Sequence, residues 1–188
     1  MLTHKGTMSI DTQRLELKQF SYQDIDAMLK NWIADEKIQS LYSEPVYSTQ
    51  EEVYELIKSY IKSYDQKDYY RWAIILKENN ECIGQIAYFL VDNKNQFAEI
   101  EYCIGSNYQC QGLATEATKA VITYGFDEIN LHKVQICHKA INHASRKVIE
   151  KNHFTYEGAL RDYFYMDGEY VDRLYYSILR SEYIKLPK

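Results

Sequence analysis

The sequence is poor in glycine, proline and cysteine, with 7, 2 and 4 of these residues in a chain of 188. The four cysteines are scattered without a C-x-x-C pair, so neither a disulfide framework nor a zinc site is indicated. The histidines fall in different segments without metal-ligand spacing. We therefore expect no metal cofactor and treat the cysteines as reduced thiols.

Long apolar runs and an excess of positive charge are also missing. No apolar stretch approaches the roughly 18 residues that span a bilayer, and the opening residues MLTHKGTMSI do not resemble a signal peptide. The net charge of -5 gives no reason to expect nucleic acid or an acidic membrane as a partner. We therefore expect a cytoplasmic protein, and the length favours one domain over residues 1–188.

Hydrophobic periodicity predicts an α/β (α+β) domain whose mixed central sheet has about seven strands flanked by helices. Capping boxes predict helices after Ser21 and after Thr49, and helical spacing predicts two more over 114–129 and 144–151. Alternation predicts strands over 14–20, 71–77, 82–91, 97–105, 131–140 and a closing hairpin over 154–183. The order of strand, helix and strand between residues 97 and 140 implies a parallel crossover.

The stretch YQCQGLATEA, residues 108–117, lies at the first junction of that crossover. A strand end that leads into a helix exposes unpaired N–H groups and the positive end of the helix dipole, which together favour an anion. Gly112 lets the backbone turn and approach a ligand closely, and Ala114 keeps the wall thin. Neither a P-loop nor a G-x-G-x-x-G fingerprint is present. From this stretch alone, an anion site and an ordinary turn both remain open.

The pattern Gln109-x-x-Gly112-x-Ala114 resembles the Q/R-x-x-G-x-G/A acetyl-CoA motif of the GNAT superfamily of N-acetyltransferases. Three further segments resemble that family in the same order, namely AEIEYCIG (98–105), INHASRKVIEKNHFTYEG (141–158) and MDGEYVDRLYYSIL (166–179). The combination is similar to the branch of ribosomal-protein N-terminal alanine and serine acetyltransferases, with polyamine acetyltransferases as close relatives. The resemblance covers residues 12–183 of the sequence.

The resemblance implies a GNAT fold with an acetyl-CoA site where two parallel strands splay apart. Backbone amides between Gln109 and Thr115 would hold the pyrophosphate, and a strand edge would pair with the pantetheine arm. Asn142 matches the family asparagine near that arm, and Ser145 matches the serine that protonates the coenzyme A thiolate. The implied cofactor-binding residues are Tyr102, Cys103, Ile104, Gln109, Cys110, Gln111, Gly112, Leu113, Ala114, Thr115, Asn142 and Ser145.

Two residues depart from the family pattern. Many relatives carry a tyrosine acid four residues beyond the serine, where this chain has Ile149, and this leaves Ser145 as the candidate acid. His153 stands where relatives usually have glycine, which predicts a changed turn.

The candidate base is a carboxylate. Glu99 and Glu101 share strand parity and can face the expected thioester from one side of the sheet. Glu101 is the stronger candidate, as base or as a ligand for the amine, while a solvated carboxylate and a base acting through ordered water remain alternatives. Cys103 also lies at the expected thioester, where a packing thiol is favoured over an acyl-cysteine intermediate.

These features predict an acetyl-CoA-dependent N-acetyltransferase that acts by direct transfer on a primary amine, namely a protein N-terminal α-amine. Acetylation of a polyamine or another small amine is the alternative, and a non-catalytic acetyl-CoA-binding regulatory module is the alternative of another class. The aromatic hairpin residues Tyr163, Phe164 and Tyr165 could line the acceptor cleft, form a homodimer interface or pack in the core.

Overall fold

A computed structural model describes residues 1–186 as one eight-stranded sheet covered by helices on both faces. The strands are β1 (Ile10–Asp11), β2 (Leu15–Lys18), β3 (Tyr70–Leu76), β4 (Glu81–Asp92), β5 (Phe97–Ile104), β6 (Lys133–Lys139), β7 (Thr155–Met166) and β8 (Glu169–Leu179). Their order across the sheet is β1-β2-β3-β4-β5-β6-β8-β7. Only β5 and β6 run parallel, and every other neighbouring pair is antiparallel. The mixed sheet predicted from the sequence is therefore confirmed.

Helices fill the connections between these strands. They are α1, a continuous helical stretch of a 3-10 turn (Tyr22–Asp24), an α turn (Ile25–Met28) and a π turn (Leu29–Ile33), then α2 (Glu36–Tyr42), α3 (Gln50–Ser63), α4 (Leu113–Tyr124), α5 (His143–Lys151) and α6 (Arg180–Tyr183). Both predicted capping boxes are present, at Ser21 with Asp24 and at Thr49 with Glu52. Among the described residues, no helix is long and apolar enough to cross a bilayer.

Among the strands and α-helices, three elements were not predicted, and each is short. Strand β1 has two residues, α2 has seven and α6 has four. Elements of this length carry little periodicity, and β1 is defined only by its pairing with β2. The eighth strand is this two-residue addition to the seven that the sequence pattern predicts.

The sheet separates two apolar cores. On one face, which we call the α4 face, strand residues such as Ile100 and Ile104 pack with α4 and with Ile149 of α5. On the other face, called the α3 face, Cys103 and Ala73 belong to a second cluster formed with α1, α2 and α3. Because side chains alternate along β5, Glu99 and Glu101 lie on the α3 face with Cys103.

The parallel pair splays apart toward its carboxyl ends, as the sequence predicts. Residues Phe97 to Ile100 of β5 pair with Lys133 to Ile136 of β6, and the pairing ends there. Strand β5 continues to Ile104 and β6 to Lys139 without further contact in register. The gap leaves one backbone edge of β5 without a strand partner, close to the amino end of α4.

Candidate active site

The loop between β5 and α4 contains two residues in the left-handed conformation. Cys110 has a φ of 60° and Gly112 a φ of 80°, and they flank Gln111. This conformation is strained for a residue with a side chain, and such strain is concentrated at functional sites. Successive amides that pass through left-handed positions also form concave anion-binding surfaces.

The two glutamines hold this loop through their side chains. The amide nitrogen of Gln109 donates to the carbonyl of Ile104 at 3.0 Å, and that of Gln111 donates to the carbonyl of Asn107 at 2.9 Å. Both bonds go to backbone oxygens inside the loop. The glutamine side chains therefore fix its shape, and the backbone N–H of Gln109 adds a bond to the carbonyl of Ser106 at 3.4 Å.

Gly112 is the N-cap residue of α4, so no side chain caps the first turn of this helix. A Cβ added to Gly112 would meet only the guanidinium of Arg14, at 3.5 Å, so the position is open. The first amides of a helix have no partner within the helix and carry the positive end of its dipole. Helix α4 has 12 residues, and its start is open and has no side-chain cap. Such a helix start beside a left-handed loop fits the diphosphate of acetyl-CoA.

Arg14, next to β2, connects this loop to the sheet through hydrogen bonds, a role that the sequence did not indicate. Its Nη1 donates to the carbonyl of Gln111 at 2.9 Å and its Nε to Glu116 at 2.7 Å. Thr12 donates to the same carboxylate at 2.6 Å. Burial alone would raise the pKa of Glu116, but these hydrogen bonds lower it below its usual range.

Asn142, Ser145 and Tyr102 meet at the α4-face side of the gap. The Asn142 side chain caps α5 by accepting a hydrogen bond from the Ser145 amide at 3.0 Å. The Tyr102 hydroxyl, from the unpaired part of β5, donates to Ser145 Oγ at 3.1 Å. Burial raises the pKa of Tyr102 to about 12. A tyrosine hydroxyl therefore reaches the candidate acid from another element, while Ile149 is completely buried in the core.

Glu101 lies across the sheet from Ser145, in an ion pair with Arg71. The distance from Arg71 Nη2 to the Glu101 carboxylate is 2.6 Å, and the side chains are 13% and 18% exposed. Arg71 also donates to Gln85 at 2.9 Å and stacks over the ring of Tyr60 at 4.7 Å. The candidate base is therefore held in place by a guanidinium from β3, three strands away from the parallel partner β6.

Glu99 forms the second ion pair on the α3 face. Arg173 of β8 crosses β6 to reach the Glu99 carboxylate at 2.9 Å, and its Nε donates to the Cys137 sulfur at 3.1 Å. The Glu99 side chain is only 5% exposed. Because this carboxylate is buried and paired, Glu99 is less accessible to an acceptor than Glu101.

Lys139 is a buried cation at the splayed end of β6. It is 6% exposed, donates to the carbonyl of Ser40 in α2 and lies 4.5 Å from the centre of the Phe164 ring. Burial lowers the pKa of its ammonium. Among residues 1–186, no carboxylate lies within ion-pair distance of it. Lys139 thus connects α2, which covers β5, to β6 on the other side of the gap.

Cys103 is buried in the apolar cluster of the α3 face, and burial raises the pKa of its thiol to about 12. The thiolate is the nucleophilic form, so this environment disfavours an acyl-cysteine intermediate. Among the described residues, no three His, Cys, Asp or Glu side chains are grouped to hold a metal ion.

Two expectations about other residues need correction. Tyr163 and Tyr165 are 51% and 68% exposed, so they do not pack in the core, and Phe164 lies against Lys139 instead. His153 has a φ of 61°, a left-handed conformation that glycine also favours. The replacement of glycine by histidine therefore does not require a different turn.

The sequence missed Arg14, Arg71, Lys139, Arg173 and the side chain of Tyr102. Each arginine reaches its partner from a segment distant in sequence, so no spacing rule could pair them. Parity gives a weak signal for one of the missed residues, because Lys139 shares strand parity with Cys137 along β6 in the same way as Glu99 and Glu101 do along β5.

Comparison with known proteins identifies similar sequences over most of the chain. Residues 14–155 match the family described as acetyltransferase (GNAT) domain. The N-acetyltransferase p20 of Bacillus licheniformis, itself uncharacterized, is 30% identical over 172 residues, covering 92% of this chain and 96% of that protein. The "Putative ribosomal N-acetyltransferase YdaF" of Bacillus subtilis (strain 168) is 38% identical over 111 residues, 59% of this chain and 60% of that protein.

A polyamine enzyme and a solved structure are also similar. Spermidine N(1)-acetyltransferase of Escherichia coli (strain K12) is 27% identical over 136 residues, which cover 71% of this chain and 73% of that protein. The crystal structure of a GNAT-family acetyltransferase from Bacillus anthracis superposes with a TM-score of 0.80 at 27% identity, covering 93% of this chain and 100% of that chain. The fold and the family agree with the sequence prediction, and the acceptor differs among the relatives.

Proposed function

The chain belongs to the GNAT family of acetyltransferases, and we propose that its acceptor is the α-amine at a protein N-terminus. Acetyl-CoA is the cosubstrate of this family and supplies the acetyl group as a thioester. We assign the activity to one domain over residues 1–188, with direct transfer to the amine. A cytoplasmic location and a homodimer, for which the exposed Tyr163 and Tyr165 are available, stay predictions.

The observation that carries this proposal is the charge arrangement on the α3 face. Glu99 and Glu101 are both paired with arginines, whereas Lys139 is buried and has no carboxylate partner in the part of the chain that the structure describes. An ammonium has three donors, and the carbonyl of Ser40 uses one of them. Peptide carbonyls next to an α-amine can accept from such a cation, whereas a polyamine brings further positive charges toward it.

The residues on each side of the gap have separate roles in this proposal. Amides of the loop from Gln109 to Thr115 bind the diphosphate, and the free edge at Tyr102, Cys103 and Ile104 pairs with the pantetheine arm. Ser145 donates a hydrogen bond to the departing thiolate. Glu101 receives the acceptor amine from the opposite face, as its base or as a ligand that orients it.

The test is coenzyme A release measured with N-terminal peptides, polyamines and aminoglycosides as acceptors. We expect turnover with peptides that begin with small residues, and a loss of about 100-fold or more in kcat for Ser145→Ala and Glu101→Gln. Unchanged turnover in Ser145→Ala would remove the acid assignment. Turnover with polyamines alone would overturn the proposed acceptor.

Lys139 provides a sharper test of the acceptor. We expect Lys139→Met to raise the KM for a peptide about tenfold, equivalent to about 1.4 kcal/mol, and to leave the KM for acetyl-CoA unchanged. Lys58→Met, which removes a lysine on the exposed surface of α3, is the matched control. A lower KM for spermidine in Lys139→Met, with no change for peptides, would contradict a role in peptide recognition.

A polyamine is the second candidate acceptor, because the acidic side chain of Glu44, near Glu101, forms no ion pair with another residue of 1–186. Glu44 is exposed at the edge of the cleft, and partial desolvation and the nearby Glu101 carboxylate raise its pKa, while the charge of Arg71 opposes this rise. A second ammonium of a polyamine would relieve this repulsion. If Glu44→Gln reduces turnover with spermidine and not with peptides, the polyamine activity uses this carboxylate.

A further inference from the structure

The contact between Tyr102 and Ser145 joins the two walls of the gap on its α4-face side. Tyr102 belongs to the part of β5 beyond the last pair with β6, and Ser145 lies in the first turn of α5. The hydroxyl groups are 3.1 Å apart, with Tyr102 as donor and Ser145 Oγ as acceptor. This bond is the only side-chain hydrogen bond of Ser145 among residues 1–186.

The direction of this bond determines what Ser145 can do. A serine hydroxyl has one hydrogen to donate and two lone pairs that accept. When its oxygen accepts from Tyr102, its own hydrogen is left to donate to a third group. The Ser145 main chain is fixed as well, because its amide donates to Asn142 at 3.0 Å. Both the position and the free donor of Ser145 are therefore set by neighbours.

We propose that Tyr102 is a positioning residue, which orients the Ser145 hydroxyl so that it donates to the sulfur of coenzyme A as the acetyl group leaves. This inference rests on the proposed function and names a residue that the sequence assigned only through its backbone. No proton leaves Tyr102 in this role. As the acceptor nitrogen bonds to the acetyl carbon and the carbon–sulfur bond breaks, the electron pair goes to sulfur, and the Ser145 O–H hydrogen bond stabilises the resulting thiolate. The proton that the amine loses goes to Glu101 or to solvent.

The burial of Tyr102 keeps its hydroxyl protonated, so that it stays a hydrogen-bond donor. A phenol with a pKa of about 12 keeps its proton over the whole range in which the enzyme would work, so Tyr102 does not change its state near neutral pH. The aromatic ring is packed against the α4-face core, and the hydroxyl is the only polar atom of this side chain. Replacing tyrosine by phenylalanine therefore removes the donor and leaves the packing in place.

Kinetics of Tyr102→Phe give the first test. We expect kcat to fall about tenfold to 100-fold while the KM for acetyl-CoA changes less than about threefold, since only the transition-state interaction is lost. Tyr102→Phe combined with Ser145→Ala should be no slower than Ser145→Ala alone, because the tyrosine acts only through the serine. Multiplicative losses in the double variant would overturn the proposal.

Binding of product gives a readout that needs no acceptor. Calorimetry would compare the binding of coenzyme A with that of desulfo-coenzyme A at two pH values. Near pH 6.5 a free thiol is almost fully protonated, and near pH 9 about half of it or more is ionised. In the wild type we expect the preference for coenzyme A to increase at the higher pH. In Tyr102→Phe this increase should disappear, and the affinity for desulfo-coenzyme A should stay unchanged.

Tyr124→Phe is the matched control, since its hydroxyl donates to the carbonyl of Gly6 at 2.7 Å, away from the gap. It should behave as the wild type in both assays. A wild-type pH response in Tyr102→Phe would exclude the positioning role even if the enzyme accepts peptides. Conversely, if no peptide is acetylated but the binding difference holds, the proposed acceptor fails and the inference about Tyr102 stands.

Discussion

The two sides of the gap between β5 and β6 are constructed in different ways. The loop on the α4 face consists of residues close together in sequence, and its side chains hold their own backbone, as Gln109 and Gln111 do. The cleft on the α3 face consists of charged side chains from separate strands, such as Arg71 with Glu101 and Arg173 with Glu99. The first region is therefore encoded by a local motif, and the second by the topology of the sheet.

The largest effect is expected when one charge of the cleft is removed. Arg71→Met leaves Glu101 without its partner in a site where the side chain is 18% exposed. Breaking a buried ion pair in this way costs about 3–5 kcal/mol, because the remaining charge is not compensated. We expect that loss in the free energy of unfolding, measured by urea denaturation.

The double variant Arg71→Met with Glu101→Leu separates the pair from its individual charges. It should recover most of the lost stability, because apolar replacements of a buried pair are often neutral. It should not recover acetyl transfer. A single variant that loses less than about 1 kcal/mol would show that the cleft does not depend on this pair.

The loop should respond through binding and less through stability. Gly112→Val places a branched side chain at a φ of 80°, where Gly112 approaches the expected diphosphate. We expect the affinity for acetyl-CoA to fall by about 100-fold or more, equivalent to about 2.7 kcal/mol. Calorimetric titration with acetyl-CoA measures this loss.

Gly168→Val is the matched control, because Gly168 has a φ of 87° in an exposed hairpin turn with no atom near its missing side chain. The two variants share the backbone strain, of about 1–2 kcal/mol for a residue with a side chain, and differ in their place in the molecule. Tight binding by Gly112→Val would contradict the diphosphate assignment. If both variants lose the same affinity for acetyl-CoA, the loss is caused by unfolding and not by a missing contact with the diphosphate.

A smaller effect is expected at a helix start that the sequence identified by itself. The Thr49 side chain caps α3 by accepting from the Glu52 amide at 3.2 Å. Thr49→Ala should lower the free energy of unfolding by about 1 kcal/mol, the usual contribution of an N-cap. Thr49→Ser retains the hydroxyl and should lose much less. If alanine and serine behave alike, this cap contributes little to the fold.

The comparison also explains what sequence reasoning could and could not predict. The strands, the crossover and both capping boxes were predicted because periodicity and capping act within one element. The loop from Gln109 to Thr115 was predicted because its motif is contiguous. The partner of Glu101 was not predicted, since Arg71 lies 30 residues earlier and meets it across β4. Lys139 and the hydroxyl of Tyr102 were missed for the same reason, as their partners belong to other elements.

The smallest effect is expected at Glu81, where the two regions are connected. Its carboxylate accepts from Lys30 and Asn31 of α1 and from Tyr108 of the loop between β5 and α4, at 2.6, 3.1 and 2.8 Å. These bonds lower the pKa of Glu81 to about 2, with Lys30 as the largest cause. An unfolded glutamate titrates near pH 4.3, so the stabilisation is complete above about that pH and is lost as the pH falls toward 2.

Glu81→Gln should therefore lower Tm modestly near neutrality and leave it almost unchanged near pH 2.5, so that the acid side of the stability curve, measured as Tm between pH 7 and about pH 2.5, becomes flatter. The effect is small because the side chains are partly exposed and the pair with Lys30 is screened by salt. The same variant should also weaken acetyl-CoA binding if α1 steadies the loop through Tyr108. Unchanged binding would mean that the loop is held by its own glutamines and by Arg14, and that the two regions are mechanically independent.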